Sequence, residues 1–280
     1  MNIKESRTLK QRFKIYWPFS LCAIQQAVSY KGRFYLFIVA RILSVFVTYY
    51  LWIAIYKSSN NVSLSGFTMK EMILYIFISF ITINIVNVTI SYEIGSDVVE
   101  GSIATNLIKP INYKVRLFFG AIGNLIYRFF MPSLLVWIAL IVYQYVKFQA
   151  LPPRIDTILL YLISMLLSFL ILFFFDFCFG MLAFYTTYIW GMNMAKVALL
   201  GFLSGQIIPL AFFPETIQKV FDYLPFASMN YVPVMIYLGK ISKINLGYAL
   251  GRQLIWVGLL WLLSHVLWNR VTKRLTVLGG

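Results

Sequence analysis

Asp176, in the stretch "LFFFDFCFG", is the residue whose type and position carry the most chemistry. A carboxylate inside an apolar run is costly, and it marks either an ion path or a buried partner. Arg128, Arg252 and Asn124 also interrupt apolar runs and are the candidate partners. Proton-coupled carriers usually use more than one such acid, so Asp176 favours a structural pair over a proton relay. An ion-coupled secondary carrier using Asp176 is the alternative. Asn84 and Asn87 are three apart, a spacing that sends both amides the same way into a helix bundle.

The remaining reactive side chains do not converge. His265, near one end of the last apolar run, reads as an interfacial hydrogen-bonder rather than a catalyst. Cys22 and Cys178 are far apart, and Cys178 lies inside an apolar run, which speaks against a disulfide or metal framework. No metal site and no catalytic residue is predicted. No G-x-x-x-x-G-K-[ST] phosphate loop occurs, so the chain does not hydrolyse ATP through that device.

The elements that must position these residues follow from composition. The chain is 61% hydrophobic and 12% charged with a mean hydropathy of +0.80, where a soluble domain is roughly a quarter charged. Several runs approach or exceed the roughly 20 apolar residues that cross a bilayer. The expected fold is all-α, a polytopic membrane protein with six spans, at Phe34 to Tyr56, Met72 to Tyr92, 117 to 146, 157 to 188, 194 to 213 and Leu246 to Leu267. Arg41 lies close enough to the basic end of the first to snorkel toward headgroups.

The organisation expected is an N-terminal segment over 1–33, the transmembrane domain over 34–268 and a basic tail over 269–280. Phe13, Trp17, Leu21, Ile24 and Val28 recur at helical steps, making the N-terminal segment an amphipathic interfacial helix or one packed on the bundle. The net charge of +15 comes mainly from lysines and arginines outside the apolar runs, so the predicted surface partner is the bilayer and not nucleic acid. Segments on the side of the termini hold twice the lysine and arginine of the opposite loops, which places both termini in the cytoplasm.

Two inter-span segments are unusual. Residues 93 to 116 lie on the cytoplasmic side, with Glu93, Asp97 and Glu100, a break at Gly101, and then Lys109 and Pro110. Residues 214 to 245 lie outside, where Ile217, Val220, Phe221 and Leu224 share a helix face. Pro209 and Pro214 should break the fifth span, and the apolar pieces around Phe221 and Pro225 should dip into the outer leaflet. Gly201-x-x-x-Gly205 and Gly247-x-x-x-Gly251 read as helix-packing motifs.

Together, "EIGSDVVEGSIATNLIKPINYKVRLFFG", "SGQIIPLAFFPETIQKVFDYLPF" and the tail ending "VLGG" resemble the exporter-type permease family of ABC transporters, of the ABC-two type. The resemblance covers nearly the whole chain and is nearest to bacterial permeases that work as a pair of different subunits with one ATPase. It implies that Glu93 to Asn112 is a coupling helix, with Glu93, Asp97, Glu100, Gly101, Lys109 and Pro110 contacting a cytoplasmic ATPase. It implies short outer-leaflet helices from Pro209 to Tyr237. It also implies a dimer of ABC ATPases that binds ATP and Mg, a second permease that is either a copy or a homologue, no cofactor in this chain, and a bacterial plasma membrane.

Overall fold

The computed structural model describes residues 9–29, 31–59, 62–149, 152–186 and 189–278. Residues 1–8 of the expected N-terminal segment and the final two glycines of the tail lie outside what is described, as does the side chain of Arg41.

The chain is almost entirely helical: α1 (Leu9–Ser29), α2 (Lys31–Ser59), α3 (Met69–Val86), α4 (Ile90–Val99), α5 (Ser102–Ile108), α6 (Tyr113–Arg128), α7 (Leu134–Phe148), α8 (Ile155–Gly180), α9 (Trp190–Leu203), α10 (Glu215–Tyr223), α11 (Pro225–Met229), α12 (Tyr231–Tyr237) and α13 (Lys243–Leu278). One two-residue hairpin, β1 (Ser63–Leu64) with β2 (Phe67–Thr68), turns the chain into α3. Thr68 starts that helix with a capping box, its hydroxyl accepting from the Glu71 N–H. Within the described residues, five helical stretches are long and apolar enough to cross a membrane, and the chain is a multi-pass membrane protein.

Three of the expected spans are interrupted. Met72 to Tyr92 is interrupted after Val86, because Asn87 takes φ −57° and ψ 131° and leaves the helix. Asn87 therefore does not share a face with Asn84. Asn84 donates to Ser133 Oγ at 3.0 Å, while the Asn87 carbonyl, freed by the break, accepts from Arg128. The long third run carries a π-helical turn at Phe129–Ser133 between α6 and α7. Pro132 accounts for it, since proline has no N–H to give and its ring crowds the preceding turn.

The expected fifth span is not one helix. Helix α9 has 14 residues, about 21 Å of rise, less than the roughly 30 Å of a hydrocarbon core. It begins where Ile189 packs on Gly95. Its continuation reaches the opposite end of the bundle, where Phe212 meets Trp52 at 4.9 Å and Phe67 at 6.2 Å between ring centroids. The backbone between is irregular, and it is satisfied by protein: Tyr231 N–H donates to the Ser204 carbonyl at 3.1 Å and Tyr75 Oη to that of Gly205. Such backbone survives at membrane depth only when buried in this way.

Helix α1 runs parallel to α6, with Tyr16 Oη accepting from Asn112 N–H at 2.8 Å and Ser20 Oγ donating to the Phe119 carbonyl at 2.6 Å. A Cβ on Gly123 would stand 2.3 Å from the Ser20 carbonyl oxygen, so only glycine allows the approach. The packed face joins this small contact to an aromatic one, with Phe119 taking the stacked ring of Tyr16 and the edge of Phe13, each at 5.7 Å. Leu21 and Val28 of the sequence-predicted stripe are exposed, and Phe13 is half-exposed.

Candidate functional site

Asp176 sits at the end of α8, about 32 Å of helix rise from Ile155. That is close to the thickness of the hydrocarbon core, so the acid lies near one boundary of the membrane rather than at mid-membrane. Its partner is none of Arg128, Arg252 and Asn124. It is Lys196, on α9, which forms a buried ion pair with Asp176 Oδ1. Arg128 is turned to Asn87, and Arg252 pairs with Asp222 at 3.0 Å. The side chains of Asp176 and Lys196 are each only 5% exposed.

The pair belongs to a larger knot. The Ser91 N–H donates to Asp176 Oδ2 at 2.8 Å, and Ser91 lies in the first turn of α4, whose first N–H groups have no partner within the helix. Thr89, at the cap position, makes no side-chain bond to that helix. Asp176 is therefore an N-terminal cap supplied by another helix, favoured also by the positive end of the α4 dipole. Lys196 Nζ donates to Ser91 Oγ at 2.7 Å and to Asn193 Oδ1 at 2.8 Å. Its ammonium stands 4.9 Å from the Phe179 ring centroid and 5.7 Å from that of Tyr92. Glycines bring the helices this close: a Cβ on Gly180 would meet Ser91 Cα at 3.1 Å, and one on Gly95 would strike Ile189.

Helices α4 and α5 form a hairpin where the resemblance of the sequence implies one coupling helix. Gly101, at φ +73°, makes the turn in the left-handed region that glycine tolerates. Asp97 holds the hairpin together, accepting from Ser102 Oγ at 2.7 Å, Asn106 Nδ2 at 3.1 Å and Tyr113 Oη at 2.6 Å. Arg116 of α6 spans Glu93 at 3.1 Å and Asp97 at 3.6 Å. Tyr113 in turn stacks on Trp268 of α13 at 5.3 Å. Glu100 accepts from Ser96 Oγ at 2.6 Å, and Lys109 donates to Asn106 at 2.8 Å. Glu93 and Asp97 thus brace the hairpin from within. Pro110 is exposed, and the tip shows apolar side chains to solvent, with Val99 61% and Ile108 83% exposed.

At the far end, Pro209 and Pro214 mark the predicted breaks and Pro225 opens α11. Phe221 turns inward onto Phe213 at 5.4 Å, while Val220 of the same helix stays exposed. Helices α11 and α12 are buried inside the bundle on a neutral network. Gln253 Nε2 donates to the Ser228 carbonyl at 2.9 Å and to Ser168 Oγ at 3.1 Å, and Ser168 Oγ donates to the Ser228 carbonyl at 2.7 Å.

Sequence reasoning missed Lys196, although it lies inside the expected fifth span, and it missed Gln253. A polar residue recurring on the inward face of each apolar run is the signal that could have found both. Asp176, Ser91, Lys196 and Asn193 converge; Asn124, Arg128 and Asn87 meet separately beside α1.

A family model described as ABC-2 family transporter protein matches residues 42–279. No curated relative and no solved structure matches the chain.

Proposed function

Because this chain belongs to the ABC-2 family of transporter proteins, we propose that it is the non-catalytic permease subunit of an ATP-driven exporter in a bacterial plasma membrane, with both termini cytoplasmic. A separate pair of cytoplasmic ATPase subunits binds ATP and Mg and docks on the α4–α5 hairpin. The observation that carries this reading is the double anchorage of that hairpin. Asp97 makes it one body with α6, and Ser91 ties it to α8 and α9 through Asp176 and Lys196. A push on an exposed apolar tip is then delivered to several spans at once, as a lever between two packed states requires.

A second permease subunit, a copy or a homologue, covers α2 and α9. Leu43, Val47 and Tyr50 of α2 and Trp190, Val197 and Phe202 of α9 are exposed. A helix as short as α9, continued by irregular backbone, is better matched by protein than by lipid. With that backbone as a sixth crossing, an even number of passes returns the C-terminus to the side of the N-terminus. Export, rather than import, follows the resemblance of the sequence.

The test is the double variant Glu100→Lys with Gly101→Pro, which cannot keep the left-handed turn. The protein should still insert, because the apolar runs are intact. The expected result is loss of a co-purifying ATPase, or ATP turnover that no longer responds to transported compounds. Full substrate-stimulated transport by the variant would reduce the hairpin to a linker and overturn the proposal.

A further inference from the structure

A recess of about 710 Å³ lies between α10, α12 and the first half of α13, at the end of the bundle away from the hairpin. Val232, Met235, Ile241 and Ile255 give it apolar walls, and Gly247 and Gly251 keep it open. The sequence pattern of these two glycines reads as a helix-packing motif. A Cβ on either would meet nothing within 4 Å, so none of the described helices packs there. The neighbouring helix sets the depth. Gln253 accepts from Ser164 Oγ at 2.9 Å, and Ser164 lies about 14 Å of rise along α8 from its start at Ile155. Arg252, next to Gln253, is thus near half the depth of a roughly 30 Å hydrocarbon core. Its pair with Asp222 is not sealed off, since the two side chains are 30% and 59% exposed. Arg252 uses Nη1 alone, for the Asp222 carboxylate at 3.0 Å and the Asp222 carbonyl at 2.8 Å. Among the described residues, Arg252 Nη2 and Asp222 Oδ2 have no hydrogen-bond partner. Lys240, the other cation in the wall, is held by Glu71 at 2.9 Å and the Gly66 carbonyl at 2.7 Å. Lipid tails offer open charged groups nothing, and at this depth such groups face a polar space or a polar ligand.

We propose that this recess binds the head of a zwitterionic phospholipid that carries a primary ammonium, as phosphatidylethanolamine does. The charges of Asp222 and Arg252 balance, so their complement is a head of zero net charge bearing both signs. Ammonium N–H groups suit Asp222 Oδ2, and phosphate oxygens suit Arg252 Nη2. A lipid, rather than a soluble zwitterion, follows from the apolar walls and from Tyr248, Leu254 and Ile255, which leave an exposed apolar strip on α13 along which acyl chains can lie. Binding is independent of the exporter reading.

The full chain is placed in nanodiscs of equal phosphatidylcholine, phosphatidylethanolamine and phosphatidylglycerol, and the lipid each chain retains on release is counted by native mass spectrometry. Phosphatidylethanolamine should be retained about tenfold over phosphatidylcholine, whose quaternary ammonium has no N–H to give, because one hydrogen bond to a charged group supplies that ratio. Gly251→Leu fills the recess from a position with open space around its Cβ. It should lower phosphatidylethanolamine to the phosphatidylcholine level without lowering the melting temperature, and Gly247→Leu repeats the test one turn away. Gly258→Leu, equally open and on the same helix but outside the recess, should leave retention unchanged. Millimolar phosphoethanolamine should not displace the lipid. Equal retention of phosphatidylethanolamine and phosphatidylcholine, a preference for phosphatidylglycerol, or selectivity that survives both filling variants would overturn the proposal. Retention of no lipid would make water the occupant and overturn it as well, and displacement by phosphoethanolamine would overturn the lipid assignment.

Discussion

The hairpin end of the bundle and its middle and far part solve the same problem with different chemistry. Both must hold helix ends and irregular backbone inside a membrane, where an unpaired polar group costs several kcal/mol. Around the buried helices α11 and α12 the groups are neutral: Gln253, Ser164, Ser168 and Ser228 share one network, and Asn230 donates to Ser79 Oγ at 2.7 Å. The hairpin end buries charge, with Asp176 capping α4 from another helix and Lys196 neutralising it. A neutral network fixes a packing and is modestly stabilising. A buried ion pair adds little net stability, yet losing one partner is severe, because the other is left buried and charged. The hairpin end is therefore the more exacting joint, as befits the place where the hairpin meets the spans.

The largest effect should come from Lys196→Met, which strands the Asp176 carboxylate. A loss of about 3–5 kcal/mol is expected, read as a collapse of the monodisperse peak in a fluorescence-detected thermal series. Adding Asp176→Asn should recover most of it, since the amide oxygen can still accept from the Ser91 N–H. If the double variant melts no higher than the single one, charge is not the governing property of this joint.

Gln253→Met should cost less. It keeps the volume but removes the amide that donates to Ser228 and Ser168, leaving Ser168 Oγ still bonded to the Ser228 carbonyl. About 1–3 kcal/mol is the expected loss, with ATPase binding unaffected. A fall as deep as that of Lys196→Met would erase the contrast between the two ends.

The smallest effect on stability should come from the hairpin tip. Val99, Leu107 and Ile108 are exposed, so changing all three to serine should leave the melting temperature unchanged while abolishing co-purification of the ATPase. Retained co-purification would move the docking surface elsewhere.

How much was legible beforehand differs between the same two ends. The breaks at the far end were written in Pro209 and Pro214, because a residue without an N–H cannot carry the hydrogen-bond ladder of a helix interior. Gly101 was legible for the complementary reason, as the residue that tolerates a left-handed turn. The interruption after Val86 was not. No proline or glycine marks it, and it depends on Arg128, distant in sequence, to satisfy the carbonyl of Asn87.

By itself the sequence determined the class of the molecule, its apolar spans, the basic bias toward one side and the polar hairpin between the second and third runs. Each of these is a sum over neighbouring residues, and local composition fixes it. Only the tertiary structure decided who pairs with whom. Asp176 chose Lys196 over Arg128 and Arg252 because Gly95 and Gly180 let α4 settle against the ends of α8 and α9, and distance, which no linear pattern records, sets the strength of a buried charge pair.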